Sequence, residues 1–220
     1  NCGQTCIAPD YILVKSEIKE SLVKSIIIEI ENAFGSNVKN SKDYGRIIHK
    51  KHFEKLENDL KGQSILYGGI RNKNELFFGP TIVDNPKINS LLIKEEIFGP
   101  ILPILSYNNL EDLDSVLSLL KNPLAFYVFS NNEKFIAQLI RDYSFGGAVI
   151  NDSLIHFTNQ KLPFGGIGNS GIGSYHAEHS FKLFSHKKSI VKRPFWFDLP
   201  QRYPPYPKSL GIIKRILKQI

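Results

Sequence analysis

The chain has 220 residues, 42% hydrophobic and 22% charged, an ordinary composition for a globular protein long enough to bury a core. Its formal net charge is +7, but nine basic residues against Asp198 alone lie between His186 and Ile220, a net of +8 that leaves −1 for the first 185 residues. A nearly neutral body with a basic tail argues against a nucleic-acid domain and towards a tail with its own acidic partner, and no apolar run reaches the roughly 18 residues of a membrane-spanning helix.

The first residues include no Met and no basic stretch followed by an apolar one, so the N-terminus reads as neither a translation start nor a signal peptide, and the chain is expected to be a fragment. Two cysteines, Cys2 and Cys6, make no disulfide framework for a chain of this length, and a reducing compartment, the cytoplasm, is expected. Cys2 reads as a small buried hydrophobe. Cys6, in Gly3-Gln4-Thr5-Cys6, is the candidate nucleophile. A sulfur attacks as thiolate, so Cys6 needs neighbours that favour that form.

Tyr11 to Val14 is a short β-branched run that predicts a strand, and Leu22, Ile26, Ile30 and Phe34 predict a helix from Glu17 to Phe34, closed by Gly35. The cycle returns with strands at Ile65 to Tyr67, Ile101 to Leu105, Ala125 to Phe129 and Ala148 to Ile150. Helices are predicted from Leu110 to Leu120 and from Glu133 to Arg141. Apolar strands alternating with helices define an α/β fold, a mainly parallel open sheet flanked by helices. Phe77 to Val83 fits less well and is assigned to an antiparallel edge. In such sheets chemistry gathers beyond the carboxyl ends of strands, which selects the loops after Ile150 and around Glu96. A boundary is expected near Ser185, and five prolines between Pro194 and Pro207 predict an extended segment.

Three stretches carry a family resemblance. Gly3-Gln4-Thr5-Cys6-Ile7-Ala8-Pro9-Asp10-Tyr11 resembles the nucleophile segment of the aldehyde dehydrogenase superfamily, with Ala-Pro-Asp-Tyr similar to its class 3, the fatty-aldehyde branch. Glu95-Glu96-Ile97-Phe98-Gly99-Pro100 resembles the family's nicotinamide-ribose clamp. The run from Asn151 to Lys187, NDSLIHFTNQKLPFGGIGNSGIGSYHAEHSFKLFSHK, is the longest match to class 3. The resemblance makes Cys6 the catalytic nucleophile and gives Glu96 the ribose hydroxyls and Phe98 the neighbouring wall, roles that suit a carboxylate acceptor and a flat ring. It lines the aldehyde tunnel with Phe164, and with Leu154 and Phe157, whose other reading is ordinary core. It implies NAD or NADP as cofactor, an aldehyde substrate, a homodimer joined near Ser189 to Lys192, and no catalytic metal.

The match covers the chain up to about Tyr203-Pro204-Pro205 but only the later half of a family member. Residues 1–185 correspond to a catalytic domain incomplete at its N-terminus, 186–195 to an oligomerisation strand and 196–220 to a Pro-rich tail. The family's dinucleotide-binding domain, general-base glutamate and oxyanion-hole asparagine all precede the cysteine, so the chain alone is expected to be inactive. Two other readings stay open: a non-enzymatic assembly module, and a dehydrogenase that passes its acyl group to coenzyme A.

Gly166-Ile167-Gly168-Asn169-Ser170-Gly171 satisfies the spacing of a dinucleotide phosphate loop, but it follows Leu162-Pro163-Phe164 and runs into Tyr175-His176 instead of joining a strand to a helix, so it is not read as one. His156, His176, His179 and His186 lack zinc-site spacing and read as structural polar residues. Lys208 to Ile220 gathers Leu210, Ile213, Ile216, Leu217 and Ile220 on one helical face and Lys214, Arg215 and Lys218 on the other. Such a basic amphipathic helix suits an anionic membrane surface, or packing on a partner subunit or on the chain's own body.

Overall fold

The computed structural model describes residues 1–198, 203–205, 211, 214, 215 and 218. The helix expected over 208–220 falls mostly outside the described residues. The chain divides into two compact units, Asn1–Phe184 and Ser185–Ile220. In the second, residues 186–194 form no strand with any described residue of the chain, and Arg193 pairs with Asp198 at 2.5 Å. No helix among the described residues is long and apolar enough to cross a membrane.

The first unit is an α/β body built on a four-stranded mixed sheet in the order β1-β6-β5-β2: β1 (Ile12–Lys15), β2 (Ile65–Tyr67), β5 (Thr81–Asp84) and β6 (Ile101–Tyr107). β1, β6 and β5 run parallel, with Ile12 opposite Ile104 and Thr81 opposite Ile101. The antiparallel edge is β2, not Phe77 to Val83. That stretch divides instead into β4 (Phe77–Phe78), which forms a hairpin with β3 (Arg71–Asn72), and β5, inside the sheet. Burial explains the difference: Thr81, Ile82 and Val83 are consecutive and all buried, the mark of an interior strand, whereas Ile65 and Leu66 are exposed. A separate parallel pair joins β7 (Ala125–Val128) to β8 (Gly147–Ile150).

Helix α1 (Lys19–Phe34) follows a short 3₁₀ turn, Ser16–Ile18, and packs Val23 against Val14, Ile82 and Ile104 of the sheet. α4 (Leu110–Leu119) and α5 (Glu133–Asp142) are both capped by asparagine side chains: Asn109 accepts from the Asp112 N–H at 2.8 Å, and Asn132 from those of Lys134 and Phe135 at 3.1 Å. Their apolar faces, with Leu113, Leu117, Ile136 and Leu139, form a core with Val128.

A helix not anticipated from the sequence, α2 (Lys50–Asp59), positions the site. Phe53 and Leu56 on its inner face are fully buried in the largest core cluster, beside Phe78, Leu92 and Ile97. Each such side chain contributes about 1.5–3 kcal/mol through burial. Short helices complete the unit, α3 (Leu91–Lys94) just before the Glu96 turn and α6 (Ala177–Leu183) at its end.

Candidate active site

Cys6 is an exposed free thiol at the tip of a tight double turn, in which Thr5 N–H donates to Gly3 O at 2.9 Å and Ala8 N–H to Thr5 O at 3.0 Å. Among the described residues its own backbone N–H has no hydrogen-bond acceptor. Buried residues anchor both flanks, Cys2 on one side and Ile7 on the other. Burial also pushes the Cys2 thiol above its usual range, in keeping with a core residue. Gln4 ties the turn to the next segment, donating to Arg46 O at 3.0 Å and accepting from the Ile48 N–H at 2.9 Å.

The turn lies against residues 96–99. Gly3 has φ +70°, and a Cβ there would come within 2.3 Å of the Gly99 carbonyl oxygen, so two backbones meet at a distance no side chain could share. Gly99 in turn sits on Leu56 of α2, whose methyl carbons would be 2.7 and 2.8 Å from a Cβ at that position. On the far side of Cys6, Asp10 Oδ1 accepts the Ile97 N–H at 2.9 Å. Ile97 is 1% exposed, a buried peg between the exposed Glu96 and Phe98. Phe98 is 37% exposed with φ +51°, a costly conformation for an aromatic residue, and its carbonyl oxygen lies 2.8 Å from His52 Nε2 of α2.

This turn precedes β6, and Cys6 precedes β1, so both candidates lie at the amino ends of their strands. The carboxyl-end rule selected Glu96 for the wrong reason. The segment is near Cys6 because Gly3 and Asp10 hold it there.

The loop after β8 approaches from a third direction. Tyr127 of β7 donates its hydroxyl to Ile7 O at 2.7 Å and its ring meets His156 of that loop, so one side chain joins the Cys6 turn to the loop. Burial raises the Tyr127 pKa, and charge at Cys6 adds to the shift, so the hydroxyl stays protonated. Leu154 has φ +66° and is 41% exposed; Phe157 is 44% exposed; Phe164 is 8% exposed. The rings of Phe157 and Phe164 meet edge-on at 5.1 Å, and Phe164 also contacts His156, Tyr175 and His176. Phe164 pairs with Tyr175 through two backbone hydrogen bonds of 3.0 and 2.9 Å, which fixes the wall. His156 is wedged against Gly147 and Tyr127, and burial lowers its pKa, keeping the ring neutral. Gly166 to Gly171 forms a closed turn over a 3₁₀ segment, Gly168–Ser170, with no strand leading in, a geometry unlike a phosphate loop.

The structure thus links Cys6, Glu96, Phe98, Leu154, Phe157 and Phe164 through short contacts. Sequence reasoning passed over Asp10, Tyr127 and His52, which make those links. The Asp10 carboxyl is pushed up to about 6, chiefly by burial and further by Glu96, against the opposing pull of the Ile97 N–H and of Lys55. A surface cavity of about 350 Å³ is lined by Leu110, Leu113, Asp114, Leu139 and Tyr143 between α4 and α5 and includes none of the candidate residues.

An exposed cysteine on a backbone turn, tied to a carboxylate-and-phenylalanine turn, suits the aldehyde dehydrogenase family, whose model matches residues 1–190; the chain belongs to that family. Its relatives include class 3 members. It is 43% identical over 211 residues to aldehyde dehydrogenase family 3 member A2 of Mus musculus, covering 95% of this chain and 44% of that protein. It is 40% identical over 220 residues to 4,4'-diaponeurosporen-aldehyde dehydrogenase of Staphylococcus aureus, covering 99% of this chain and 48% of that protein. A solved structure described as the substrate-bound state of Staphylococcus aureus AldH superposes with a TM-score of 0.88 at 39% identity, over 98% of this chain and 48% of the other. The chain therefore spans about half the length of these relatives.

Proposed function

We propose that these residues form the nucleophile-bearing half of an NAD- or NADP-dependent aldehyde dehydrogenase that oxidises medium- or long-chain aldehydes to carboxylic acids. The observation that carries this reading is the two-sided attachment of the Cys6 turn to the Glu96–Phe98 turn. It sets a sulfur nucleophile beside a carboxylate suited to a ribose diol and a ring suited to a flat apolar face. Exposed Glu96 and Phe98 on a fixed backbone fit the ribose and nicotinamide end of a dinucleotide, which when bound supplies the hydride acceptor.

Cys6 thiolate adds to the aldehyde carbonyl carbon, forming the C–S bond and placing negative charge on the oxygen. The unengaged Cys6 N–H is available to that oxyanion. Loss of hydride from the same carbon leaves a thioester on Cys6, and water then releases the carboxylic acid and restores the thiol. Phe157 and Phe164 offer the aldehyde's alkyl chain an apolar wall. Relatives from Canis lupus familiaris and Bos taurus are named dimeric and NADP-preferring, which supports a homodimer, and its joint is assigned to residues near Ser189 to Lys192 on the family resemblance. The basic tail is assigned to peripheral contact with an anionic membrane of a cytoplasmic enzyme; vesicle flotation unchanged by deletion of 208–220 would remove that assignment.

A protein of full family length carrying these residues is expected to reduce NAD or NADP in the presence of a medium-chain aldehyde and to lose that activity in Cys6→Ala. The 220-residue chain alone is expected to show no turnover. Activity that survives Cys6→Ala would overturn the assignment.

A further inference from the structure

Residues 3 and 10 bracket Cys6, and residues 97 and 99 bracket Phe98. Gly3 meets Gly99, and Asp10 binds Ile97, so the two turns touch on both sides of their functional residues. The Gly3–Gly99 contact is steric and resists compression alone. The Asp10–Ile97 contact is a hydrogen bond from a backbone N–H to a carboxyl oxygen, and it resists separation as well.

We propose that Asp10 is a positioning residue that locks the ribose turn onto the nucleophile turn, so that dinucleotide binding at Glu96 and carbonyl attack at Cys6 share one rigid piece of backbone. The inference rests on the dehydrogenase reading of Cys6 and Glu96.

The placement of Asp10 is costly in itself. Its carboxyl is largely withdrawn from water and faces the like charge of Glu96, with Lys55 of α2 as the neighbouring cation. Lys55 is already shared with Asp59 at 2.8 Å and Glu95 at 3.5 Å, and the adjacent Tyr11 phenol is itself pushed up to about 12 by burial and by Asp10. An uncharged residue would avoid that cost, and a carboxylate held against burial and a like charge is the kind of arrangement found where geometry serves function. What Asp10 gains is the Ile97 N–H, in the middle of a turn where Phe98 holds a left-handed conformation. Without the bond, the buried Ile97 side chain, Gly99 and the His52 contact to the Phe98 carbonyl remain as anchors, and Glu96 gains freedom to shift relative to Cys6.

The test compares Asp10→Ala, which removes the acceptor, with Asp10→Asn, which keeps a carbonyl oxygen but no charge. In the 220-residue chain, Asp10→Ala should speed hydrogen exchange at the Ile97 amide about tenfold, the loss of one such bond, while core amides at Phe53 and Ile104 stay protected and report an intact fold. Asp10→Asn should retain most of the protection. The wild-type Ile97 amide shift should titrate with a midpoint at about 6, and that titration should vanish in Asp10→Asn. In a protein of full family length, Asp10→Ala should raise KM for the dinucleotide about tenfold and leave KM for the aldehyde within about twofold. Unchanged Ile97 exchange in Asp10→Ala, or equal changes in both KM values, would overturn the proposal. A wild-type protein without dinucleotide-dependent turnover would instead remove the functional reading, and the amide measurements would then decide the structural tie by themselves.

Discussion

Each contact at the junction between the Cys6 turn and the Glu96 turn has backbone on at least one side, whereas the wall formed by Leu154, Phe157 and Phe164 is made of side chains. At the junction the contacts are Gly3 on Gly99, Asp10 on the Ile97 N–H and His52 on the Phe98 carbonyl. At the wall they are rings meeting rings, on a loop that contributes one backbone bridge, Phe164 to Tyr175. The difference matches the chemistry proposed for each region. Attack and hydride loss need fixed distances, which backbone contacts give; accommodating an alkyl chain needs apolar area of adjustable shape, which exchangeable side chains give.

Substitutions sharpen that contrast, beginning with the largest. Gly3→Ala puts a methyl group into the Gly99 carbonyl at a residue with φ +70°, and is expected to cost about 3–5 kcal/mol, combining strain and overpacking. Chemical denaturation measures it, and a cost under about 1 kcal/mol would show the junction to be soft. Phe164→Ala empties a buried position and should cost about 3 kcal/mol. Phe157→Ala removes a half-exposed ring and should cost under about 1 kcal/mol of stability, with its main effect on preference among aldehydes of different chain length. If Phe157→Ala destabilised the protein as much as Gly3→Ala, the contrast between backbone junction and side-chain wall would collapse.

Acidity probes the junction separately. The Asp10 carboxyl rises from an ordinary 3.8 to about 6 on folding, so between those values the folded state holds the proton that the unfolded state has released. Stability from this group is therefore fully present below pH 4 and lost as pH rises through about 6. Asp10→Asn removes the cost of the buried charge and should be more stable than wild type at pH 8 by about 1–2 kcal/mol, a figure discounted for partial solvation. The advantage should shrink to nothing by about pH 4, and thermal melts across that range measure it.

Much of the fold was legible because its signals are local. The strands at Ile12, Ile101, Ala125 and Gly147 and the helices from Lys19, Leu110 and Glu133 each carry their own apolar period and punctuation. Helix α2 was missed although Phe53, Leu56 and Leu60 have helical spacing, because the intervening Lys, His and Glu residues make the segment read as polar. The interior position of β5 depends on which strands flank it, and no local pattern states that. The same holds for the site. Cys6, Glu96 and Phe98 stand in short motifs, but Asp10 meets Ile97 across 87 residues and Tyr127 meets Ile7 across 120. An aspartate after Pro9 and a tyrosine within a strand carry no sign of such partners until the register of β1, β6 and β7 is known.

The central claim is that the Cys6 sulfur holds the aldehyde carbon while that carbon is oxidised. The direct test is to mix a protein of full family length carrying these residues with NAD or NADP and a medium-chain aldehyde, quench in acid and map the acylated peptides by mass. The account predicts an acyl thioester on the peptide containing Cys6, present only when dinucleotide and aldehyde are both supplied. Turnover with an acyl group on another residue, or with none on Cys6 under conditions that trap the thioester, would contradict it.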